Sequence, residues 1–399
     1  GKAGQATRVT YDGYYGTQAM TKRQDMMNAR EFAALENDIY KRAIYADPAA
    51  LGEGTDWQSF VFRKAPIQNH QLTLTSGSEK TSLALSGNYF DQVGTIVNSG
   101  FKRYSLRLNL NHQINKRLRV GTSLFGSFSQ NKGINTAPTS SDIYGTTGGI
   151  LGAALAAPPT LVPYREDGSV WPFGDQFNGR YRELSNPVGL AKILDRSTTN
   201  NLLGNLYFDF SLAKGLTYRA SFNVTQGNTL GDFYSPKSIV NASDQGVAGS
   251  AAKNNFYNRS LLHESILTYA TTFGGGHSLK FTGVFASLKN ESSSNSISAT
   301  QFPNDATLNE AIALGVNRNV GSGRSESRLD SYLGRVNYGY RDKYFLDLTA
   351  RYDGASQFGA NNKYGFFPAV SAAWRLIEEP FLKEVAWMSD LKLRGSYGL

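Results

Sequence analysis

Hydrophobic and polar residues alternate with a period of two along much of this chain, and that period is the signature of strands with one apolar and one polar face. From Leu202 to Leu212 the even positions are Leu202, Gly204, Leu206, Phe208, Phe210 and Leu212, while Asn205, Asp209 and Ser211 take the other side. Tyr104, Leu106, Leu108 and Leu110 alternate with Ser105, Arg107, Asn109 and Asn111 in the same way. So do Tyr344, Leu346, Leu348, Ala350 and Tyr352 with Asp347, Thr349, Arg351 and Asp353. The pattern predicts an all-β chain of about thirteen strands, each long enough to cross a bilayer at a tilt. They are expected near 5–16, 67–76, 81–91, 101–113, 118–130, 199–212, 216–224, 259–271, 278–287, 328–340, 344–353, 367–377 and 390–399.

The connectors divide by parity. After the second, fourth, sixth, eighth and tenth strands they are short: Gly77-Ser78-Glu79, Asn115-Lys116, Ala213-Lys214-Gly215, Gly274-Gly275-Gly276 and Arg341-Asp342-Lys343. After odd strands they are mostly long, at 17–66, 131–198, 225–258 and 288–327, so these four are expected at one end of the sheet. A large soluble sandwich or barrel, its apolar face packed inward, has no reason to sort its turns in this way. A bacterial outer-membrane barrel does, with short periplasmic turns and long extracellular loops. Aromatic spacing agrees with the barrel. Tyr344 and Tyr352 stand eight residues apart on one face, as do Tyr332 and Tyr340 on the preceding strand. At roughly 3.3 Å per residue and a tilt of about 40°, the two rings lie roughly 20 Å apart along the membrane normal, near the height of an apolar band between aromatic girdles.

Counting back from the turn at 341–343 sets a register for the tenth and eleventh strands. Tyr340 faces Tyr344, Tyr338 faces Leu346 and Val336 faces Leu348 on the lipid side; Asn337 faces Asp347 and Arg335 faces Thr349 on the lumen side. Arg335, Asp347 and Arg351 are therefore expected to line the lumen, with Arg335 and Asp347 as a diagonal pair.

Other classes of function find little support. The 23 Phe and 22 Tyr exclude low-complexity disorder, and the absence of Cys removes disulfide scaffolds, thiolate zinc sites and iron–sulfur clusters together. His70, His112, His263 and His277 lie far apart without metal-ligand spacing, so neither a metal nor another cofactor is expected. No apolar run is long enough for a transmembrane helix. The net charge of +9 is spread evenly rather than clustered, which argues against nucleic acid. No nucleophile elbow, phosphate loop or dinucleotide fingerprint occurs, and Glu378-Glu379 reads as a solvated turn before Pro380, so no enzyme activity is expected. No N-terminal leader is visible, and an export signal is expected to have been cleaved or to lie outside the chain.

Two features of the long connectors stand out. Asn28-Ala29-Arg30-Glu31 has capping-box spacing and is followed by Phe32, Leu35 and Ile39 on one face, which predicts one short helix in the first long loop. The connector 131–198 carries Trp171, Phe173, Phe177 and Tyr181 outside any strand. Such rings either stack on a ligand or pack the loop on itself; Trp171, Phe173 and Tyr181 are the candidate ligand-binding residues.

Several segments, in order from end to end, carry a resemblance to a known family. They are Thr55-Asp56-Trp57-Gln58, Ala65-Pro66-Ile67-Gln68-Asn69-His70, Gly100-Phe101-Lys102-Arg103-Tyr104-Ser105-Leu106-Arg107, Arg351-Tyr352-Asp353-Gly354-Ala355-Ser356-Gln357-Phe358-Gly359, Asn361-Asn362-Lys363-Tyr364-Gly365-Phe366-Phe367-Pro368 and Ser389-Asp390-Leu391-Lys392-Leu393-Arg394-Gly395-Ser396-Tyr397-Gly398. With them the chain resembles the SusC/RagA-type TonB-dependent transporters of the Gram-negative outer membrane. The resemblance implies a barrel of twenty-two strands, of which about thirteen are here, so residues 1–399 read as a partial barrel domain beginning at the plug–barrel junction near Gly1-Lys2-Ala3-Gly4. The signal peptide, TonB box, plug and C-terminal strands of the family lie outside it. It implies uptake of an oligosaccharide or a peptide, with a SusD-like surface lipoprotein, TonB and outer-membrane lipid as partners. A non-transporting surface adhesin and a siderophore- or cobalamin-type receptor are the alternatives.

Overall fold

Each alternating stretch pairs with its neighbours in sequence, because a chain that turns back after a tight turn meets its own preceding strand first. The computed structural model describes residues 6–134, 136, 149–237, 249–382 and 387–399. The expected plug junction at Gly1 to Gly4 lies outside the described residues. The strands are β1 (Arg8–Gln18), β2 (Ala65–Gly77), β3 (Thr81–Val93), β4 (Gly100–Asn115), β5 (Leu118–Lys132), β6 (Leu194–Ala213), β7 (Leu216–Ser235), β8 (Ser250–Phe273), β9 (His277–Thr300), β10 (Asn317–Tyr340), β11 (Tyr344–Ala355), β12 (Tyr364–Arg375) and β13 (Lys392–Gly398). They form one antiparallel sheet of 13 strands in sequence order, with β1 and β13 at its edges. A meander puts every odd connector at one end, so 131–198 and 341–343 lie at opposite ends. The tight turns have the backbone they need: Gly274, Gly275 and Gly276 all have positive φ, as do Arg341 and Asp342.

The expected register holds at every position. Tyr340 pairs with Tyr344, Tyr338 with Leu346, Asn337 with Asp347, Val336 with Leu348 and Arg335 with Thr349. Because pairing is in register from strand to strand, faces can be followed across the sheet. On one face an aromatic row crosses near the short turns: Phe273, His277, Tyr340, Tyr344 and Trp374, with successive ring centres 5.3, 4.6, 6.3 and 6.1 Å apart. A second row runs through Phe222, His263, Phe285 and Tyr332, at 4.7, 6.2 and 5.2 Å, and continues to Tyr352 and Tyr364. Over β1–β5 the same row is made by Tyr11, His70, Tyr89, Tyr104 and Phe128. Between the rows Phe281, Val336, Leu348 and Val370 stand opposite one another. On β6 to β12 this face carries no Asp, Glu, Lys or Arg within the band. The charges take the other parity, as with Arg219, Glu264, Lys280, Arg335 and Asp347. This is the face plan of a transmembrane barrel wall, lipid outside and water inside.

The structure differs from the sequence reading in three places. Strands β6 to β10 run for 20 to 24 residues, so the connectors expected at 225–258 and 288–327 shrink to 236–249 and 301–316. Their added length is rich in Asn, Ser, Thr and Gly, of which Asn and Gly are poor strand formers, so neither propensity nor apolar alternation marks it. The helix expected in the first loop is present as α1 (Ala29–Tyr40), capped reciprocally by Asn28 and Glu31. Among the described residues three more short α-helices accompany it: α2 (Trp57–Val61), α3 (Gly149–Ala156) and α4 (Pro187–Leu190).

The third difference is Glu379, read as solvated from sequence. It lies in the 376–391 connector, and its carboxylate accepts from the Tyr344 hydroxyl at 2.6 Å, Trp374 Nε1 at 3.0 Å and Lys343 Nζ at 3.3 Å. The connector thereby fastens two rings of the inner aromatic row. The Tyr344 and Trp374 hydrogen bonds hold the Glu379 carboxyl below the usual carboxylate range.

Two expectations follow. Leu348→Arg, at the middle of the apolar band, should destabilise the membrane-inserted full-length barrel by about 2–4 kcal/mol in denaturant titration, whereas Thr349→Arg on the lumen face should cost far less. A carboxyl depressed in the folded state contributes stability that is present above its unfolded pKa and is lost as pH falls through its folded one. Hydrogen exchange in 376–391 should therefore accelerate on acidification below the ordinary carboxylate range, and Glu379→Gln should be fast already at neutral pH.

Candidate functional site

Two long connectors at the outer end, 19–64 and 133–193, fold into a single unit because each carries apolar residues that neither could bury alone. Trp57, Val61, Ile150, Leu161, Phe173 and Val188 form its core. Trp57 meets Phe173 edge-on at 5.2 Å and donates Nε1 to the Pro158 carbonyl at 2.9 Å. Gln176, also buried, donates Nε2 to the carbonyls of Val162 and Trp171. A polar clamp joins the two connectors elsewhere: Glu36 of α1 accepts from Arg180 Nε at 3.2 Å and from the Tyr181 hydroxyl at 2.5 Å. The Tyr181 oxygen also lies 2.8 Å from that of Tyr45. Burial, then the bond to Glu36, pushes the Tyr181 phenol well above its ordinary range, so it stays a neutral donor.

The three aromatic candidates separate accordingly. Phe173 is 1% exposed and belongs to the core, so it has no free face to offer a ligand. Tyr181 is committed to the clamp and packs near Phe177 and Phe32. Trp171 is half-buried, with its carbonyl held by Gln176 and Asn186. Sequence reasoning missed Trp57, Glu36 and Arg180, whose partners lie more than a hundred residues away, and Gln176, whose partners Val162 and Trp171 are near in sequence but come together only through the fold of the loop. Only the Asp56-Trp57 pair gave a local hint, since Asp56 caps α2.

On the lumen face, Arg335, Asp347 and Arg351 take the expected parity but not all the expected partners. Arg335 donates Nε to Thr349 Oγ1 at 3.1 Å, the residue directly opposite, and forms no ion pair with Asp347. Asp347 accepts instead from Asn337 and from Ser371 Oγ at 3.4 Å. The directly opposed partner wins because it needs no stretched side chain. Arg351 pairs with Asp353 at 2.7 Å and reaches Ser331. Near the short turns this face lines a recess of about 1160 Å³ bordered by Lys280, Asp347, Lys392 and Arg394.

No family model matches the chain. TonB-dependent receptor P3 of Formosa agariphila is 31% identical over 387 residues, covering 96% of this chain and 37% of the receptor. TonB-dependent receptor SusC of Bacteroides thetaiotaomicron is 28% identical over 430 residues, covering 100% of this chain and 40% of SusC. The chain thus spans well under half the length of either relative. Among solved structures, that of the RagAB peptide transporter matches 100% of this chain and 48% of its own, with a TM-score of 0.74 at 23% identity. The resemblance to SusC/RagA-type TonB-dependent receptors therefore holds in sequence and in fold, and with it the outer-membrane setting of the sheet.

Removing the Tyr181 hydroxyl leaves Glu36 and Tyr45 each one partner short. Tyr181→Phe should cost about 1–3 kcal/mol, read in the full-length receptor as faster hydrogen exchange in α1 while β8 to β10 keep their protection.

Proposed function

We propose that this chain, as barrel wall of a SusC/RagA-type TonB-dependent receptor, serves active uptake of an oligosaccharide or a short peptide across the outer membrane. The observation that carries the reading is the 31% identity to a TonB-dependent receptor along 96% of the chain. The charge-free lipid face supports it, since it belongs to a wall that spans the bilayer rather than to a soluble sandwich. On this reading residues 1–399 are part of a larger barrel domain, because β1 and β13 each present an unpaired edge that lipid could not satisfy. The family's plug closes the lumen and TonB supplies the work of opening it. A SusD-like lipoprotein caps the outer end, where the loop unit of 19–64 and 133–193 stands. Arg335, Asp347 and Arg351 keep the lumen wall hydrated, and of the three candidate rings Trp171 is the one committed neither to the core nor to the clamp.

A growth screen on oligosaccharides and oligopeptides as sole carbon source tests this. Deleting the gene of the full-length parent should abolish growth on at least one of them and leave growth on glucose intact, and loss of TonB should give the same defect. Unchanged growth on every substrate would leave a non-transporting surface protein.

A further inference from the structure

Beyond the outer aromatic row the two faces of β6 to β10 exchange character. The parity that is charge-free in the bilayer now carries ion pairs: Arg196 with Asp232 at 2.7 Å, Arg259 with Glu291 at 2.5 Å, Lys289 with Glu326 at 3.1 Å and Arg328 with Asp330 at 3.2 Å. The lumen parity, charged inside the bilayer, loses its charges. From Ser197 to Leu203 on β6, and across the residues these face on the next four strands, it carries no Asp, Glu, Lys, Arg or His. One row shows the composition: Asn201, Gly227, Asn258, Ser292 and Ser325 stand opposite one another on five successive strands.

This wall is built to present polar groups without charge. A Cβ on Gly227 would lie 2.5 Å from Asn258 Oδ1 and 3.3 Å from Asn201 Oδ1, so glycine there lets both amides lean over one patch. Among the described residues neither amide has a protein hydrogen-bond partner, while Ser292 and Ser325 share a hydroxyl contact at 2.7 Å beside them. Two residues above Asn258 on the same face, Phe256 is 50% exposed.

We propose that this wall is a binding surface selective for an uncharged oligosaccharide, with Asn201, Asn258 and Phe256 as the selecting side chains; the inference rests on the importer reading above. Amides and hydroxyls offer both donors and acceptors, matching sugar hydroxyls, and an exposed ring stacks on the apolar face of a pyranose. A carboxylated or sulfated chain would shed hydration here and meet no counter-charge. A peptide would find no free strand edge to pair with, since β6 to β10 are hydrogen-bonded on both sides.

The test uses the purified full-length receptor on a panel of neutral probes (maltoheptaose, cellohexaose, xylohexaose, mannohexaose) and anionic ones (hexagalacturonate, a carrageenan hexasaccharide). At least one neutral probe should bind and the anionic ones should not. Asn258→Asp and Phe256→Ala should each weaken the neutral probe at least tenfold, while Glu326→Gln, on the opposite face, should leave its affinity unchanged. Heat-modifiable gel mobility checks that each barrel is folded. Binding of anionic probes only, no neutral binding at all, or unchanged affinity in both wall variants would overturn the proposal. TonB-dependent growth on a peptide or an anionic glycan without neutral binding overturns the wall and spares the importer. Neutral binding that shifts with Asn258→Asp, in a receptor whose deletion affects no growth, upholds the wall and removes the importer.

Discussion

Inside a bilayer no water is available to a backbone amide or carbonyl, so every such group on a spanning strand must pair with another strand. The rest of the architecture depends on that constraint. It forbids an interruption of the ladder in the band, and the two register irregularities among the described residues, at Gln113/Asn115 and Ser211/Ala213, lie beside turns and outside it. An unbroken ladder transmits parity from strand to strand. A ring on one strand therefore fixes where the next can stand, and the aromatic rows are a consequence of register rather than of separate placements.

Parity then decides where charge can go. In the band the lipid face has none, and the lumen face takes all of it. The boundary is narrow: on β3, Tyr89 belongs to the outer aromatic row and Asp91, the next residue on that face, pairs with Lys102 at 3.5 Å. Two residues advance the strand by about 7 Å, and the Tyr89 hydroxyl bridges the step by donating to Asp91 at 2.9 Å. Exposed pairs of this kind add little stability. Their physical effect is to make the strand prefer water from that point outward, which sets the depth of the sheet. The 301–316 connector adds to this by folding over the same face, where Phe302 and Ile312 pack with Tyr234, Ala251 and Ala299, a surface that lipid therefore does not reach.

Strand number, order, hairpin register and facing were legible from sequence because alternation and turn spacing are local signals that the ladder merely repeats. The outer halves of β6 to β10 were not, since Asn258, Ser292 and Ser325 differ too little in polarity from their neighbours to show a period. Glu379 was misread for a related reason: its three partners, Lys343, Tyr344 and Trp374, come from the 341–343 turn, β11 and β12. The diagonal of Arg335 to Asp347 failed on geometry, because the directly opposed Thr349 offered a nearer acceptor. The site was less legible than the fold. Its candidates were chosen as aromatic residues in a loop, and the loop needed most of them for itself.

That need has a simple physical origin. A connector the length of 133–193 has no sheet to lean on, so it orders only if it buries apolar surface of its own. Phe173 and Trp57 fill that core, and Tyr45, Phe177 and Tyr181 stack or bond where the two connectors meet. Rings consumed in this way hold the two connectors together, and of the three candidate rings they leave only Trp171 uncommitted. Asn201 and Asn258 lie instead on the strands beneath, where the ladder already satisfies the backbone and, among the described residues, their side-chain amides have no protein partner. In a wall of this kind the hydrogen-bonded scaffold and the recognition surface are the same strands, and selectivity follows from which side chains the scaffold does not need.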